Sequence, residues 1–403
     1  MSGESLATGQ RSLGDPDIRY PLMPPLTAGC PKTSTEEMAY PLEVDYDYGR
    51  ASTEVFTGYR GGGGLDRWAQ LMPPLTAPGL GEGGTPLVEI GDGVFVKDES
   101  RNPTWSHKDR FNRCAVSAAV GAGAEGIVVA SSGNHGASAA AYAARAGLRC
   151  IVLLSADSPP AVGSFVRAYG AAVLPITTDA RWPLLRQIVD RLGYHPVTNL
   201  TTTHTGHPFG PEGYKSIAYE LCAELGVPAA VFVPTGYGEL LFGIGKGFDE
   251  LRRLGVTSTV PPLFSCEPAA GGPLFAAMSS NVEAARVHVA ETGAYAIDCA
   301  VSGYRALLAL TRSGGQALLV GDDEMAAAQR SLAHRGLWYE LSSAAGVAGL
   351  RQVGRDRFDG PVVCIATSSG FKDLGVATAA QPAVDPSWDD VSRLLRDAGI
   401  PGA

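Results

Sequence analysis

The sequence predicts an α/β fold in which open, mostly parallel sheets are flanked by helices. Two observations carry that expectation. From residue 94 onward short apolar runs alternate with longer amphipathic ones, and glycine-rich loops follow several of the apolar runs. Strand, helix, strand, helix is the pattern of parallel strands joined by helical crossovers. Composition agrees, since 45% hydrophobic and 18% charged residues describe a globular chain with a large core. The 403 residues exceed the roughly 100–200 of one domain, so two domains are expected.

In chain order, Val-Phe-Val at 94–96 reads as a strand and the segment after Lys108 as a helix. Ile-Val-Val-Ala at 127–130 is a second strand, and the alanine-rich 137–146 a second helix. The rhythm continues with a strand at 150–154, a helical segment at 161–169 and a strand at 171–176. After a Thr/His/Gly-rich loop at 201–211 come a helix at 212–225, a strand at 229–233 and helices at 240–251, 324–334 and 342–350. A strand at 362–366 closes the pattern. Residues 1–60 are Pro-rich, acidic and Tyr-rich without helical periodicity, and read as an N-terminal extension draped over the rest. Four glycines at 61–64 and a Pro/Gly-rich stretch at 72–86 mark entry to the compact part.

The net charge of −9 leaves no basic face, which argues against nucleic acid and membrane as partners and favours small metabolites. Seven cysteines, Cys30, Cys114, Cys150, Cys222, Cys266, Cys299 and Cys364, are dispersed singly, as in a reduced compartment. With no signal-like start and no apolar run near 18–20 residues, the expected location is cytoplasmic.

Lys108 begins a helix directly after a strand and a short loop. A lysine held there in a partly desolvated cleft has a lowered pKa and can form an imine with an aldehyde. The alternative is a solvated lysine at a helix start. Three loops follow strands, where open parallel sheets bind ligands. The first, Ser131, Ser132, Gly133, Asn134, His135 and Gly136, offers backbone N–H groups and an amide to an anion at a helix N-terminus, or simply caps the helix. The second, Thr235, Gly236, Tyr237, Gly238, Glu239 and Leu240, has the same form, although a Glu239 carboxylate repels a phosphate unless it points away. The third, residues 367–373, brings Thr367 and further hydroxyls to the sheet edge.

Together these sites resemble the threonine synthase family of pyridoxal-phosphate enzymes, in the tryptophan synthase β-like, fold type II group. The family's Asn-Pro-Thr-Gly-Ser-Phe-Lys-Asp-Arg matches residues 102–110, its asparagine loop and helix match 131–147, and its Thr-Gly-x-Gly-Leu-Lys-Asp matches 367–373. Weaker matches lie at 42–48, 212–215 and 340–345. The resemblance implies two open, mostly parallel sheets. It also implies a large cofactor-binding domain from residues 61–112 and 200–403, a small mobile α/β domain at 113–199, and a homodimer.

By the same resemblance Lys108 would hold pyridoxal 5'-phosphate as a Schiff base and then take the substrate α-proton. Asn134 would bond the cofactor's phenolic oxygen, and Thr235 through Leu240 would wrap its phosphate. Thr367 would face the pyridine nitrogen. The loop Ser131 to Gly136 would hold the substrate carboxylate. A hydroxyl does not keep the pyridine protonated, which favours elimination and replacement over transamination.

The chain departs from the family at the phosphate of O-phosphohomoserine. An arginine, a threonine and an asparagine are replaced by Gly210, His135 and Tyr237. Beside the lysine, Trp105 stands for a glycine and would narrow the cleft or stack on substrate. His107 stands for a phenylalanine and is either an added acid/base group or a packed histidine. His204 and His207 lack a neighbouring carboxylate or thiol, so no metal site is expected. The expected activity is β/γ-elimination or replacement by a lyase or synthase acting on a small amino acid. Authentic threonine synthase is one alternative, and a non-catalytic cofactor-binding relative another.

Overall fold

The computed structural model describes residues 4–59, 61–131, 133–156, 160–372 and 386–400. Its strands are β1 (Ala7–Ser12), β2 (Arg19–Tyr20), β3 (Leu42–Tyr46), β4 (Leu87–Glu89), β5 (Val94–Asp98), β6 (Gly126–Ala130) and β7 (Arg149–Ser155). They continue with β8 (Ala172–Ile176), β9 (His195–Pro196), β10 (Ala230–Pro234), β11 (Leu263–Pro268), β12 (Gln316–Val320) and β13 (Val362–Ala366). The helices are α1 (Lys108–Gly121), α2 (Asn134–Ala146), α3 (Pro160–Ala168), α4 (Thr178–Leu192), α5 (Lys215–Leu225) and α6 (Glu239–Arg253). After them come α7 (Pro273–Ser280), α8 (Tyr304–Ser313), α9 (Asp322–Ala333), α10 (Ala345–Val353) and α11 (Trp388–Asp397).

Two open sheets dominate, as expected. The larger runs β12-β11-β10-β13-β5-β4, parallel except for the antiparallel edge β4. The smaller runs β8-β7-β6-β9 and is parallel throughout. Every residue of β10 and of β13 is buried. That is why both read as continuous apolar runs rather than alternating ones.

Each expected strand is present within two residues of its predicted ends. Several elements lay outside the reading. β12, Gln-Ala-Leu-Leu-Val, is a half-buried edge with a helix-forming composition, and β11 carries Glu267. The Glu267 carboxylate accepts the amides of Leu274 and Phe275 at the start of α7, and burial pushes it up to about 7. Helix α4 contains Pro183, and α7 and α8 lie beside a long irregular stretch, 281–303. The predicted helix 212–225 divides into a 3-10 turn, Gly210–Tyr214, and α5.

The N-terminal extension is more ordered than a draped strap. β1, β2 and β3 form an antiparallel sheet in the order β2-β1-β3. A buried ionic cluster pins it. Glu43 pairs with Arg11 at 2.6 Å and Lys246 at 3.1 Å. Glu212 pairs with Lys215 and Lys246 and accepts from the Val44 amide and the Tyr46 hydroxyl. Two of the weaker sequence matches, 42–48 and 212–215, are therefore the two halves of one contact.

A second buried cluster sits under α1. Arg110 donates through Nε to Glu99 at 2.7 Å, through Nη1 to Glu220 at 2.6 Å and to Ser216 at 2.7 Å. Lys97 pairs with Glu220 at 2.8 Å, and all four charged side chains are fully buried. Residues 386–400 belong to a separate unit, in which the Ser387 hydroxyl caps α11 by accepting the Asp390 amide.

Removing one partner from such a cluster strands the others in a medium that solvates them poorly. Arg110→Met is expected to lower the unfolding free energy by about 3–5 kcal/mol; a loss under about 1 kcal/mol in denaturant titration would contradict the clustered arrangement. Glu43 makes a pH prediction. Burial alone would raise its carboxyl, but Lys246 and Arg11 outweigh that and hold it down at about 2. Its contribution is thus complete above about 4.5, the unfolded value, and is lost as pH falls through about 2. The denaturant midpoint of the wild type should fall over that window, and Glu43→Gln should flatten the fall.

Candidate active site

Lys108 is the first residue of α1, and the motif before it is a set of anchors for that position. Asn102 donates to the carbonyl and carboxylate of Glu99 and accepts from the Gly83 amide. Asp109 accepts from the Thr104 amide and hydroxyl at 2.6 and 2.5 Å and from Ser138 at 2.6 Å, which ties the turn to α2. Arg110 reaches the buried cluster below. Trp105 holds the left-handed φ of +64°, a conformation that favours glycine. Its carbonyl accepts from the Ser369 amide and the Ser368 hydroxyl, so the loop is stitched to the third strand-end loop.

The lysine opens into a cavity of about 210 Å³. Its amine has no hydrogen-bond partner among the described residues and lies 5.9 Å from the Tyr214 ring. Desolvation lowers its pKa below 10.5, partly opposed by Glu239 and Cys299. Burial disfavours the charged ammonium, so the neutral, nucleophilic amine becomes accessible.

The structure brings most of the expected site to this one cavity. Ser131, Gly133, Asn134 and His135 line one side, Gly236 through Leu240 another, and His107 and Thr367 flank Lys108. Three expected residues stand off the wall. The Thr235 hydroxyl donates to the Val233 carbonyl behind the loop. Gly136 is buried at α2, where a Cβ would meet Val152 at 3.1 Å. Trp105 is 55% exposed and is not part of the wall, so it does not narrow the cavity. Ser132 lies outside the described residues.

The second loop has the character of an anion cradle. The backbone N–H groups of Gly236, Tyr237, Gly238, Glu239 and Leu240 have no acceptor among the described residues, at the N-terminus of α6. Gly238 holds φ +80°, and a Cβ there would stand 2.2 Å from Ala306, so only glycine fits. The Glu239 side chain is turned to its own partners. It lies 3.5 Å from His204 Nε2 and 3.8 Å from Arg305, and accepts from the His207 amide. Burial would raise its carboxyl, but His204, Lys108 and Arg305 bring it down to about 2. The Tyr237 ring stacks on His204 at 4.1 Å. These N–H groups fit a phosphate, and the free amine of Lys108 on the same cavity fits an aldehyde.

The histidines are structural in character. His107 turns Nδ1 to the Thr367 carbonyl at 3.1 Å, which makes Nδ1 the protonated nitrogen, and burial with the Lys108 charge drives its pKa well below 6.5. Of the two expected readings, this geometry favours the packed, neutral imidazole over an acid/base group. His135 donates from Nε2 to the Val197 carbonyl at 2.7 Å and accepts at Nδ1 from Asn112, and burial lowers it to about 4. Both its nitrogens are engaged within the protein. His207 accepts the Phe209 and Gly210 amides at Nδ1, so its Nε2 donates to His195 Nε2 at 2.9 Å.

Asn134 is held on both sides of its amide. Its Nδ2 donates to both oxygens of Glu340 at 3.0 Å, and its Oδ1 accepts from Lys372 at 2.7 Å and Ser368 at 3.1 Å. Burial lowers Lys372 to about 8, opposed by Glu340 and Asp109. Thr367 Oγ1 lies 2.8 Å from Ser343 Oγ. Sequence reasoning assigned no role to Glu340, Ser343 or Lys372, although each falls in a segment it had marked. Arg181, Trp182 and the wall segment from Tyr295 to Cys299 gave no signal, because they lie between the recognised motifs.

Comparison with known proteins fits this geometry. The family profile "Pyridoxal-phosphate dependent enzyme" matches residues 79–368. Threonine synthase of Methanocaldococcus jannaschii is 33% identical over 88% of this chain and 93% of its own. That of Halalkalibacterium halodurans is 34% identical over 84% and 98%. Among solved structures, a T.th. threonine deaminase superposes with a TM-score of 0.60 at 22% identity, covering 74% of this chain and 94% of that one. A fungal L-serine ammonia-lyase from Rhizomucor miehei gives 0.61 at 21%, covering 71% and 93%. The chain belongs to the pyridoxal-phosphate-dependent enzyme family, in its fold type II, threonine-synthase-like branch.

Proposed function

We propose that the protein is a carbon–oxygen or carbon–nitrogen lyase, or a synthase, that eliminates or replaces a group at the β or γ carbon of a small amino acid. One observation carries the reading: a desolvated lysine amine and a row of backbone N–H groups, all without partners among the described residues, face the same cavity. Pyridoxal phosphate, when bound, supplies an electron sink that acidifies the α-carbon of an amino acid.

The residues divide the remaining work. Lys108 Nζ would hold the cofactor's carbonyl carbon and afterwards carry the α-proton. Gly236 to Leu240 would bind the phosphate through backbone N–H groups, with Thr235 bracing the loop from behind. Asn134, fixed by Glu340 and Lys372, would keep the ring in register. Thr367, backed by Ser343, would present a hydroxyl to the ring nitrogen and leave it unprotonated, which favours elimination and replacement. Ser131 and the start of α2 would take the substrate carboxylate. His107 would wall the site and exclude water as a neutral ring.

A second reading, threonine synthase itself, is favoured by identity of 33–34% over most of the chain to curated threonine synthases. Formation of threonine from O-phosphohomoserine separates the two. A cytoplasmic homodimer completes the proposal, supported by seven free cysteines and by the family resemblance. Among the described residues no helix is long and apolar enough to cross a membrane.

Lys108→Ala is expected to remove the cofactor's visible absorption band and all turnover; a retained band would contradict the assignment. Gly238→Ala should weaken cofactor affinity by about tenfold or more, since a steric shift there misplaces several charge-assisted bonds, with less change in apoprotein melting. The rate of cofactor capture by apoprotein should rise with pH, because only the neutral amine reacts, with a midpoint below 10.5. His107→Phe should leave the shape of that profile unchanged.

A further inference from the structure

The cavity wall carries a cation that this reading leaves unused. Arg181 stands in the first turn of α4 and lines the cavity beside Trp182. Its Nε is buried without a hydrogen-bond partner, and no carboxylate among the described residues lies within 4.0 Å of the guanidinium. Helix stability does not explain it, since a cation in the first turn opposes the helix dipole. Glu239 is engaged by Arg305, His204 and the His207 amide. Asp298, in the same cavity lining, feels the Arg181 charge, which partly offsets the rise that burial imposes on its carboxyl, but makes no ion pair with it within 4.0 Å.

The position at which the family resemblance places a recognition arginine is closed here. A Cβ on Gly210 would stand 2.2 Å from the Phe111 ring, so no side chain can project from it. The other two substituted positions bring no cation in exchange, because His135 is neutral with both nitrogens engaged and Tyr237 is a phenol whose ring is stacked on His204. Arg181 is the one arginine on the wall among the described residues.

We propose that Arg181 is the specificity-determining residue of this site and binds an anionic terminus of the substrate side chain, a carboxylate or a phosphate. The planar guanidinium offers paired N–H donors that match the oxygen pairs of either group. Recognition then comes from the α4 side of the cavity. The inference rests on the proposed reaction for the location of the substrate, but it concerns binding.

The test is calorimetric titration of the holoenzyme with L-aspartate, O-phospho-L-serine and L-serine, with cofactor absorbance as a second readout. At least one anionic ligand should bind about tenfold or more tightly than serine, the scale of a charge-assisted hydrogen bond. Arg181→Gln should remove that preference while leaving serine affinity within about twofold, and Arg181→Lys should keep part of it. The tighter of the two anions identifies the source of the charge. Equal affinity of all three ligands for the wild type, or an unchanged preference in Arg181→Gln, would overturn the proposal. Binding is read apart from turnover, so missing elimination product counts against the reaction and the affinity ratio alone decides Arg181.

Discussion

The buried ion cluster around Arg110 is the constraint on which the site depends. Lys108 is only two residues away on the same helix, and a lysine side chain alone cannot fix where its own helix begins. Arg110 does so by reaching carboxylates from the turn after β5 and from α5, each fully buried. Burying such charges is strongly unfavourable unless every partner is present. The arrangement therefore gives the start of α1 a single position, and the amine inherits it.

Above that base, hydrogen bonds join the elements that a parallel sheet leaves as separate loops. Asp109 ties α1 to the Ser138 hydroxyl on α2. The Trp105 and Thr367 main chains tie the lysine loop to the loop after β13. Asn134 reaches Glu340 and Lys372. Loops that arrive from three strand ends are thus held to each other, which is how a site on connecting segments can have the precision of one on rigid elements.

Much of this was legible in the sequence because the signals are local. The six predicted strands are short apolar runs, and Lys108, Asn134 and Thr367 sit in motifs that loop chemistry explains. What was missed is non-local or disguised. The pairing of β1 with β3 spans about 30 residues of irregular chain, and β12 has a composition that suits a helix. Glu340 and Lys372 could be marked but not assigned, since their partner Asn134 is more than 200 residues away. His107 shows the reverse case. Its chemistry left both a reactive and a packed role open, and its burial and its carbonyl partner, which favour the packed one, are visible only in the fold.

The contact between Gly210 and Phe111 bears on how this pocket is related to those of its relatives. An arginine introduced at 210 meets an aromatic ring, and a small residue introduced at 111 leaves a void beside a glycine. Either change alone is expected to be harmful and the pair better tolerated, so the two positions should be coupled rather than additive. Grafting a relative's residue into this chain one position at a time will understate what the graft can do.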